Sequence, residues 1–225
     1  MSNVFWLMLA IVVGQGRQYP REITIPAGPP AQTAPEKSPR QDKGPARYPK
    51  HHAGKTIYFI PIGDFPSGAV EDLVSYYRET LHLEINTVDP ISIEDSVLDT
   101  ERRQLVAEKL IASMRHALPK LASDPNALLI GFTTADMYPL GENWRFAFGW
   151  RVTQLRAAVV STARMDLHYP GEPLDDARPE IRLRKMVTKD IGILYYGLPQ
   201  SSNPRSVLYN HILGIEELDA MGERF

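Results

Sequence analysis

The chain has 225 residues, a net charge of −2 and 23% charged residues, a composition typical of one globular domain with an additional segment. This charge balance excludes a general electrostatic attraction to nucleic acid, and the absence of cysteine excludes disulfides, zinc–thiolate sites and a cysteine nucleophile. Every apolar run is shorter than the roughly 20 residues that a membrane-spanning helix needs. The sequence therefore predicts neither a nucleic-acid partner nor a polytopic membrane protein.

Ten consecutive apolar residues, Val4 to Val13, follow the first three residues, and this length is typical of a signal-peptide core. Gly14 and Gly16 fit the small-residue positions of a cleavage site, but no Lys or Arg precedes the run. An uncleaved anchor or a buried strand therefore stays open as an alternative. Residues 1–16 are predicted to be a signal peptide or an N-terminal anchor, which implies export to the periplasm or the medium. Any membrane attachment would run through residues 4–13.

Residues 17–54 are predicted to be a proline-rich disordered linker. Eight of the nineteen prolines of the chain lie between Arg17 and Lys50, and proline lacks the N–H that helices and sheets use. Few large apolar side chains are present here to offset the entropy of ordering. His51 and His52 are adjacent in this segment, and a solvated linker is favoured over a metal site because a flexible chain is not preorganised.

Residues 55–225 show the patterns of a mixed α/β (α+β) domain with flanking helices. The apolar run 57–60 precedes a turn and predicts a buried strand, and apolar residues at helical spacing predict an amphipathic helix at 68–81. Further strands are predicted at 83–88, 127–132, 144–150 and 156–162. Further helices are predicted up to Leu118, with Asp99 or Thr100 as the cap, and at 179–196, with one short helical turn at 216–221. The alternation of strands and helices predicts a mixed sheet covered by helices.

The common catalytic motifs HExxH, GxSxG, GxGxxG and the P-loop are absent from the sequence. His82, His116, His168 and His211 are each isolated, and neighbouring acids lie in segments that read as solvated loops or helix starts. The residues alone therefore predict no standard active site.

Four segments, in this order and spacing, resemble the archaemetzincins, which are zinc peptidases of the metzincin type. The resemblance covers about the last 170 residues and implies a single metzincin-like domain at 55–225. The segments are Ile57–Asp64, similar to the opening strand; Leu129–Tyr138, similar to a strand and its acidic turn; Asn143–Gly149, similar to an N-F-V-F-G strand; and Ala158–Arg164, similar to a small-residue edge strand that ends in S-x-A-R.

The family resemblance also implies a zinc signature, HExxHxxGxxHCx4CxM, and Gly197 sets its register in this chain. The three zinc histidines then correspond to Asp190, Leu194 and Gln200, the general base to Ile191, the two cysteines to Ser201 and Ser206, and the Met-turn methionine to Leu208. Zinc needs about three protein ligands and an open position, and isoleucine cannot accept a proton from water. Zinc is the cofactor expected for the family, but this chain is predicted to hold no metal and to have no catalytic residue.

These patterns predict a zinc-free, catalytically inactive archaemetzincin-like protein that binds an extended peptide or a protein partner. The resemblance implies a groove beside a small-residue edge strand, and strand addition along it needs only exposed backbone groups. Its residues are Ala158, Val159, Val160, Ser161 and Thr162. The aromatic segment 144–150 either lines this groove or belongs to the core.

Two alternatives stay open at this point. In the first, the protein is a metal-dependent peptidase with a rebuilt site, formed by Asp190, His211 and Asp219. In the second, the domain is an inert scaffold and its partners bind the linker.

Overall fold

The computed structural model describes residues 54–169 and 177–225. Residues 1–16, His51 and His52, and nearly all of the predicted linker lie outside these ranges, as does most of the loop predicted at 166–177. The predictions of a signal peptide, a linker and export therefore stay predictions. None of the helices in the described ranges is long and apolar enough to cross a membrane.

The described residues form eight strands and five α-helices, in the order expected of an α/β domain. The strands are β1 (Thr56–Pro61), β2 (Ile85–Thr87), β3 (Leu98–Asp99), β4 (Gln104–Val106), β5 (Ala127–Thr133), β6 (Met137–Tyr138), β7 (Gly149–Val152) and β8 (Ala157–Ser161). The helices are α1 (Ser67–Leu81), α2 (Ala107–Ala117), α3 (Pro119–Ser123), α4 (Arg178–Leu194) and α5 (Ile215–Ala220).

The main sheet has the strand order β2-β1-β5-β8-β7. Its first four strands are parallel, and β7 pairs antiparallel with β8 at one edge. All seven residues of β5 are buried, because this central parallel strand is covered on both faces. A small second sheet has the order β3-β4-β6. The prediction of a mixed α/β domain with flanking helices is confirmed.

Two apolar cores lie on the two faces of the main sheet. Helices α1 and α4 contribute to one core, and Tyr77 of α1 is fully buried there. Its hydroxyl donates to the Arg184 carbonyl of α4 over 2.9 Å and is 3.1 Å from the Thr188 hydroxyl. Helix α2 covers the other core through residues such as Leu110 and Met114. Helix α4 is therefore fixed against the sheet, and its C-terminal half lies near the strands β8 and β7.

Helix α4 ends where the sequence predicts. Pro179 lies in its first turn, a position that does not need an N–H donor. Gly197 follows the last turn with a φ of 67°, in the left-handed region that favours glycine. This turn carries the chain from the helix towards Gln200 and the loop beyond it.

The prediction that residues 158–162 form an edge strand is wrong. Ala158 to Ser161 lie in β8, which pairs with β5 on one side and with β7 on the other. All residues of β8 are buried. Because both sides of β8 carry ladder hydrogen bonds, its backbone cannot accept an added peptide strand. The open edge belongs to β7 instead.

Two element boundaries also differ from the prediction. The helix expected from Asp99 or Thr100 begins at Ala107 as α2, because Gln104 to Val106 pair as a strand first. Asp99 instead stabilises a turn, since its Oδ1 accepts hydrogen bonds from the backbone N–H groups of Glu101 and Arg102. In the aromatic segment 144–150 the strand begins only at Gly149.

Candidate functional site

A cleft of about 260 Å³ lies between the edge strand β7 and helix α4. Trp144 and Phe148 line it from the segment that leads into β7, Met186 and Lys189 line it from α4, and Gln200 lines it from the loop after the helix. The cleft thus places the open edge of the sheet beside the helix positions where the zinc signature falls.

The backbone of β7 presents two residues to the open edge. The N–H of Ser161 donates to the Phe148 carbonyl over 2.9 Å, and the register pairs Trp150 with Val159. In an antiparallel ladder, hydrogen-bonded and non-bonded pairs alternate, so Gly149 and Arg151 are the non-bonded positions. Their N–H and C=O groups therefore point away from β8, towards the free edge.

The side chain of Arg151 reaches from β7 to α4 and forms a buried ion pair with Asp190. Its Nη1 lies 2.7 Å from Oδ1, and the Asp190 side chain is completely buried. Burial raises the pKa of the Asp190 carboxyl above its ordinary value, although the Arg151 guanidinium opposes this shift. The other carboxylate oxygen, Oδ2, has no hydrogen-bond partner in the described part of the chain. The Arg151 guanidinium thus contacts the residue that corresponds to the first zinc ligand.

Lys189 is a second cation beside Asp190. Its ammonium donates a hydrogen bond to the Tyr209 carbonyl, and its side chain lines the cleft. Burial, and to a smaller extent the Arg151 guanidinium, lower the pKa of Lys189 to about 8, although the Asp190 carboxylate opposes both effects. At neutral pH the lysine is therefore mostly protonated, and two cations surround one carboxylate.

The pKa of Lys189 leads to a testable pH dependence of stability. Between about pH 8 and the ordinary lysine value of 10.5, the unfolded chain binds more protons at this residue than the folded chain does. The free energy of unfolding contributed by Lys189 should therefore rise with pH over this interval, by at most about 3 kcal/mol. Urea unfolding of the wild type and of Lys189→Met across the interval measures this difference. A difference that stays constant with pH would contradict the prediction.

Ile191 and Leu194 are core residues. Ile191 is fully buried and Leu194 nearly so, and both belong to the apolar core that also contains Val187 and Tyr195. Neither side chain has a lone pair, so neither can ligate a metal ion or accept a proton. The positions that correspond to the general base and the second zinc histidine are thus used for packing.

The loop after α4 is shaped by the serines that stand at the two cysteine positions. The Ser201 hydroxyl accepts the N–H of Asn203, and the Ser206 hydroxyl accepts the N–H of Leu208, both over 3.1 Å. Leu208 is buried in the core, and Gln200 is exposed at the cleft. Hydrogen-bonded turns at Ser201 and Ser206 therefore stabilise the conformation of this loop.

The predicted convergence of Asp190, His211 and Asp219 is not found. His211 is exposed, and Asp219 is held by Arg182, whose Nε and Nη2 lie 2.7 and 2.6 Å from its two oxygens. Across residues 54–169 and 177–225, no group of three or more His, Asp or Glu side chains is arranged to hold a metal ion.

The residues at the signature positions do not fit a catalytic zinc ion. Such an ion needs about three protein ligands with free lone pairs and an open position. Asp190 is the one charged oxygen donor of the set, and its Oδ1 is already bound by Arg151. The adjacent Lys189 adds a second positive charge that repels a divalent cation.

Sequence reasoning missed Arg151 and Lys189. A signal for the first was present: Arg151 is a lone charge in the segment Trp150 to Val152, and Asp190 is a lone acid on an otherwise apolar helix face. Opposite lone charges on a partly buried strand and a buried helix face indicate an ion pair, because an unpaired buried charge is too costly.

No protein-family model matches the chain. The chain is 29% identical over 162 residues to the archaemetzincin of Pyrococcus abyssi, and the alignment covers 68% of this chain and 81% of that protein. It is 30% identical over 155 residues to the archaemetzincin of Pyrococcus horikoshii, with 63% and 77% covered. The crystal structure of a zinc-dependent peptidase from Methanocorpusculum labreanum has a similar fold, with a TM-score of 0.61, 22% identity, and coverage of 75% of this chain and 95% of that one.

Proposed function

The chain belongs to the archaemetzincin family, and from this premise we propose that it is a member without catalytic zinc that binds an extended peptide along β7. The observation that carries this proposal is the Arg151–Asp190 ion pair. It places an internal cation in contact with the residue at the first ligand position, and the adjacent sheet edge at β7 remains open. The protein then retains the peptide-binding geometry of a peptidase-like fold and lacks its hydrolytic centre.

Peptide hydrolysis in a metal site requires a bound metal ion and a base that takes a proton from water. Ile191 occupies the position of the base, and its fully buried hydrocarbon side chain can neither accept nor donate a proton. Of the alternatives, the rebuilt metal site loses its support, because Asp190 and Asp219 are each engaged by a different arginine.

Peptide binding by strand addition matches the geometry of β7. Gly149 and Arg151 direct backbone donors and acceptors to the free edge, and such groups recognise the backbone of an added strand. Trp144 is partly exposed and meets Trp150 edge-to-face, with 6.0 Å between ring centroids, so it offers apolar surface to the side chains of the peptide.

A proline at position 149 tests this binding mode. Gly149→Pro removes the outward N–H and leaves the ladder to β8 intact, and proline is tolerated at sheet edges where its N–H would face solvent. Gly149→Ala is the matched control, since a Cβ at either variant meets the flexible end of Met186. We expect Gly149→Pro to bind degenerate peptide pools about 2–10-fold more weakly than Gly149→Ala, which is the effect of one hydrogen bond. Fluorescence anisotropy with labelled pools measures the affinities.

Equal affinities for the two variants would contradict strand addition at β7. The absence of zinc is tested separately, by elemental mass spectrometry of the full chain after chelator treatment and zinc loading. Well below one zinc per chain supports the proposal. Peptide hydrolysis that a chelator abolishes and zinc restores would overturn it.

A further inference from the structure

A second pocket, of about 510 Å³, adjoins the cleft, and we call it the arginine pocket. It is lined by Arg102, Arg103, Gln104, Asp136, Arg145, Phe146 and Arg164. The chain segment 144–148 contributes to both pockets: Trp144, Ala147 and Phe148 line the cleft, whereas Arg145 and Phe146 line the arginine pocket. The two pockets are therefore neighbours, and the arginine pocket lies at the end of the cleft where the chain enters β7.

Arg102 is fixed at the wall of the arginine pocket. Its Nε donates to Gln104 Oε1 over 3.0 Å, and its Nη2 donates to the carbonyls of Trp144 and Arg145 over 3.0 and 3.1 Å. Its guanidinium also stacks over the Tyr138 ring, 3.6 Å from the centroid. The charge is thus held in place before any ligand arrives.

Arg164 neutralises the carboxylate in the lining of the arginine pocket. Its Nε lies 3.0 and 3.1 Å from the two oxygens of Asp136, and its Nη2 lies 2.6 Å from Oδ2. Gln104 donates to the same carboxylate over 2.9 Å. Asp136 is therefore saturated and does not offset the charges of the other three arginines.

Arg103 and Arg145 are exposed, and neither forms an ion pair with a carboxylate in the described ranges. Arg103 has a φ of 54°, a left-handed backbone that side chains other than glycine rarely adopt. The lining contains four arginines and one aspartate, so positive charge is concentrated here although the whole chain carries a net charge of −2. The fixed guanidinium of Arg102 and the exposed ones of Arg103 and Arg145 together form a field that attracts oxyanions.

We propose that the arginine pocket binds the carboxylates of acidic residues near the C-terminal end of a peptide that lies along β7. This inference rests on the proposed function. Guanidinium forks match carboxylate geometry, and a compact pocket beside a peptide cleft suits side chains of that same peptide. A strand that pairs antiparallel with β7, the commoner arrangement, has its C-terminal end beside Gly149 and therefore nearest to Arg145 and Phe146.

Two degenerate peptide pools with amidated C-termini test the proposal on the full chain. One pool ends in two glutamates and the other in two glutamines, and both are otherwise random. At low ionic strength we expect the wild type to bind the glutamate pool about 3–10-fold more tightly, the range for two exposed charge contacts. Arg103→Ala/Arg145→Ala should remove this preference and leave the affinity for the glutamine pool unchanged. Arg78→Ala/Arg205→Ala removes the same charge from exposed positions elsewhere and should keep the preference.

The outcomes separate this proposal from the proposed function. Equal affinity of the wild type for the two pools, or a preference that survives in the pocket variant, overturns the arginine-pocket proposal alone. Binding of inorganic phosphate that depends on Arg103 and Arg145, without any pool preference, assigns the pocket to a free oxyanion and also overturns it. If neither pool binds, the proposed function itself fails, and the present proposal fails with it.

Discussion

Replacing Arg151 with methionine is expected to lower the free energy of unfolding by about 3–5 kcal/mol. The substitution leaves the fully buried Asp190 carboxylate without a hydrogen-bond partner from a side chain, because its Oδ2 already lacks one in the described chain. The loss should shrink as the pH falls into the acidic range, because the pKa of the Asp190 carboxyl is raised in the folded state. Without Arg151 the pKa of the Asp190 carboxyl in the folded state rises further. At lower pH this carboxyl is protonated in the folded state, and a neutral carboxyl costs less free energy to bury than a charged one. Urea unfolding at several pH values measures both effects.

The control for this prediction is the double variant Arg151→Met/Asp190→Leu, in which neither charge is present. Replacing a whole buried ion pair by apolar residues is often neutral, so this variant should stay within about 1–2 kcal/mol of the wild type. If the double variant is as unstable as Arg151→Met alone, lost packing of the arginine side chain explains the effect and the electrostatic account is wrong.

Tight zinc binding should require two changes together: three histidines at the signature positions and removal of Arg151. Asp190→His, Leu194→His and Gln200→His restore three nitrogen ligands at the signature spacing, and the turn at Gly197 that this spacing requires is present. With Arg151 retained, we expect at least about 100-fold weaker zinc binding than with Arg151→Ala, because a guanidinium at contact distance repels a divalent ion by several kcal/mol. Zinc competition titrations and elemental analysis of the two proteins give the comparison.

Ile191 is kept in this experiment, because glutamate in its fully buried position would test folding rather than metal binding. The far-ultraviolet circular dichroism of both proteins shows whether the fold is retained. Equal zinc affinity with and without Arg151 would show that the arginine does not weaken zinc binding at this position. No binding in either folded protein would contradict the expectation that the spacing anchored on Gly197 forms a zinc site once Arg151 is removed.

Most elements that pack the core could be predicted from local patterns. The apolar run at 57–60 and the periodic residues of 68–81 became β1 and α1, because burial of one face decides both elements. Gly197 likewise ended α4 as expected, since its left-handed φ is a local property. The start of α2 could not be predicted, because Asp99 has the chemistry of a helix cap and is used instead to hold a turn.

The position of the sheet edge could not be predicted from the family resemblance alone, but the sequence contained a clue. Residues 157–160 are all apolar, as expected for a strand buried on both sides, whereas Gly149 to Val152 include Arg151 and are only partly buried. The partner of Asp190 lies 39 residues away, on another element. A contact of this kind depends on strand order, which no local pattern encodes.

The ion pair between Arg151 and Asp190 also changes what the folding of this region depends on. In a metal site, the stability of the folded state varies with the concentration of free metal ion, because the unfolded chain releases the ion. A guanidinium attached to the chain cannot dissociate, so its effective concentration is set by the sequence itself. We therefore expect this domain to reach its final structure equally well in metal-starved and metal-rich surroundings, without a loading step after synthesis.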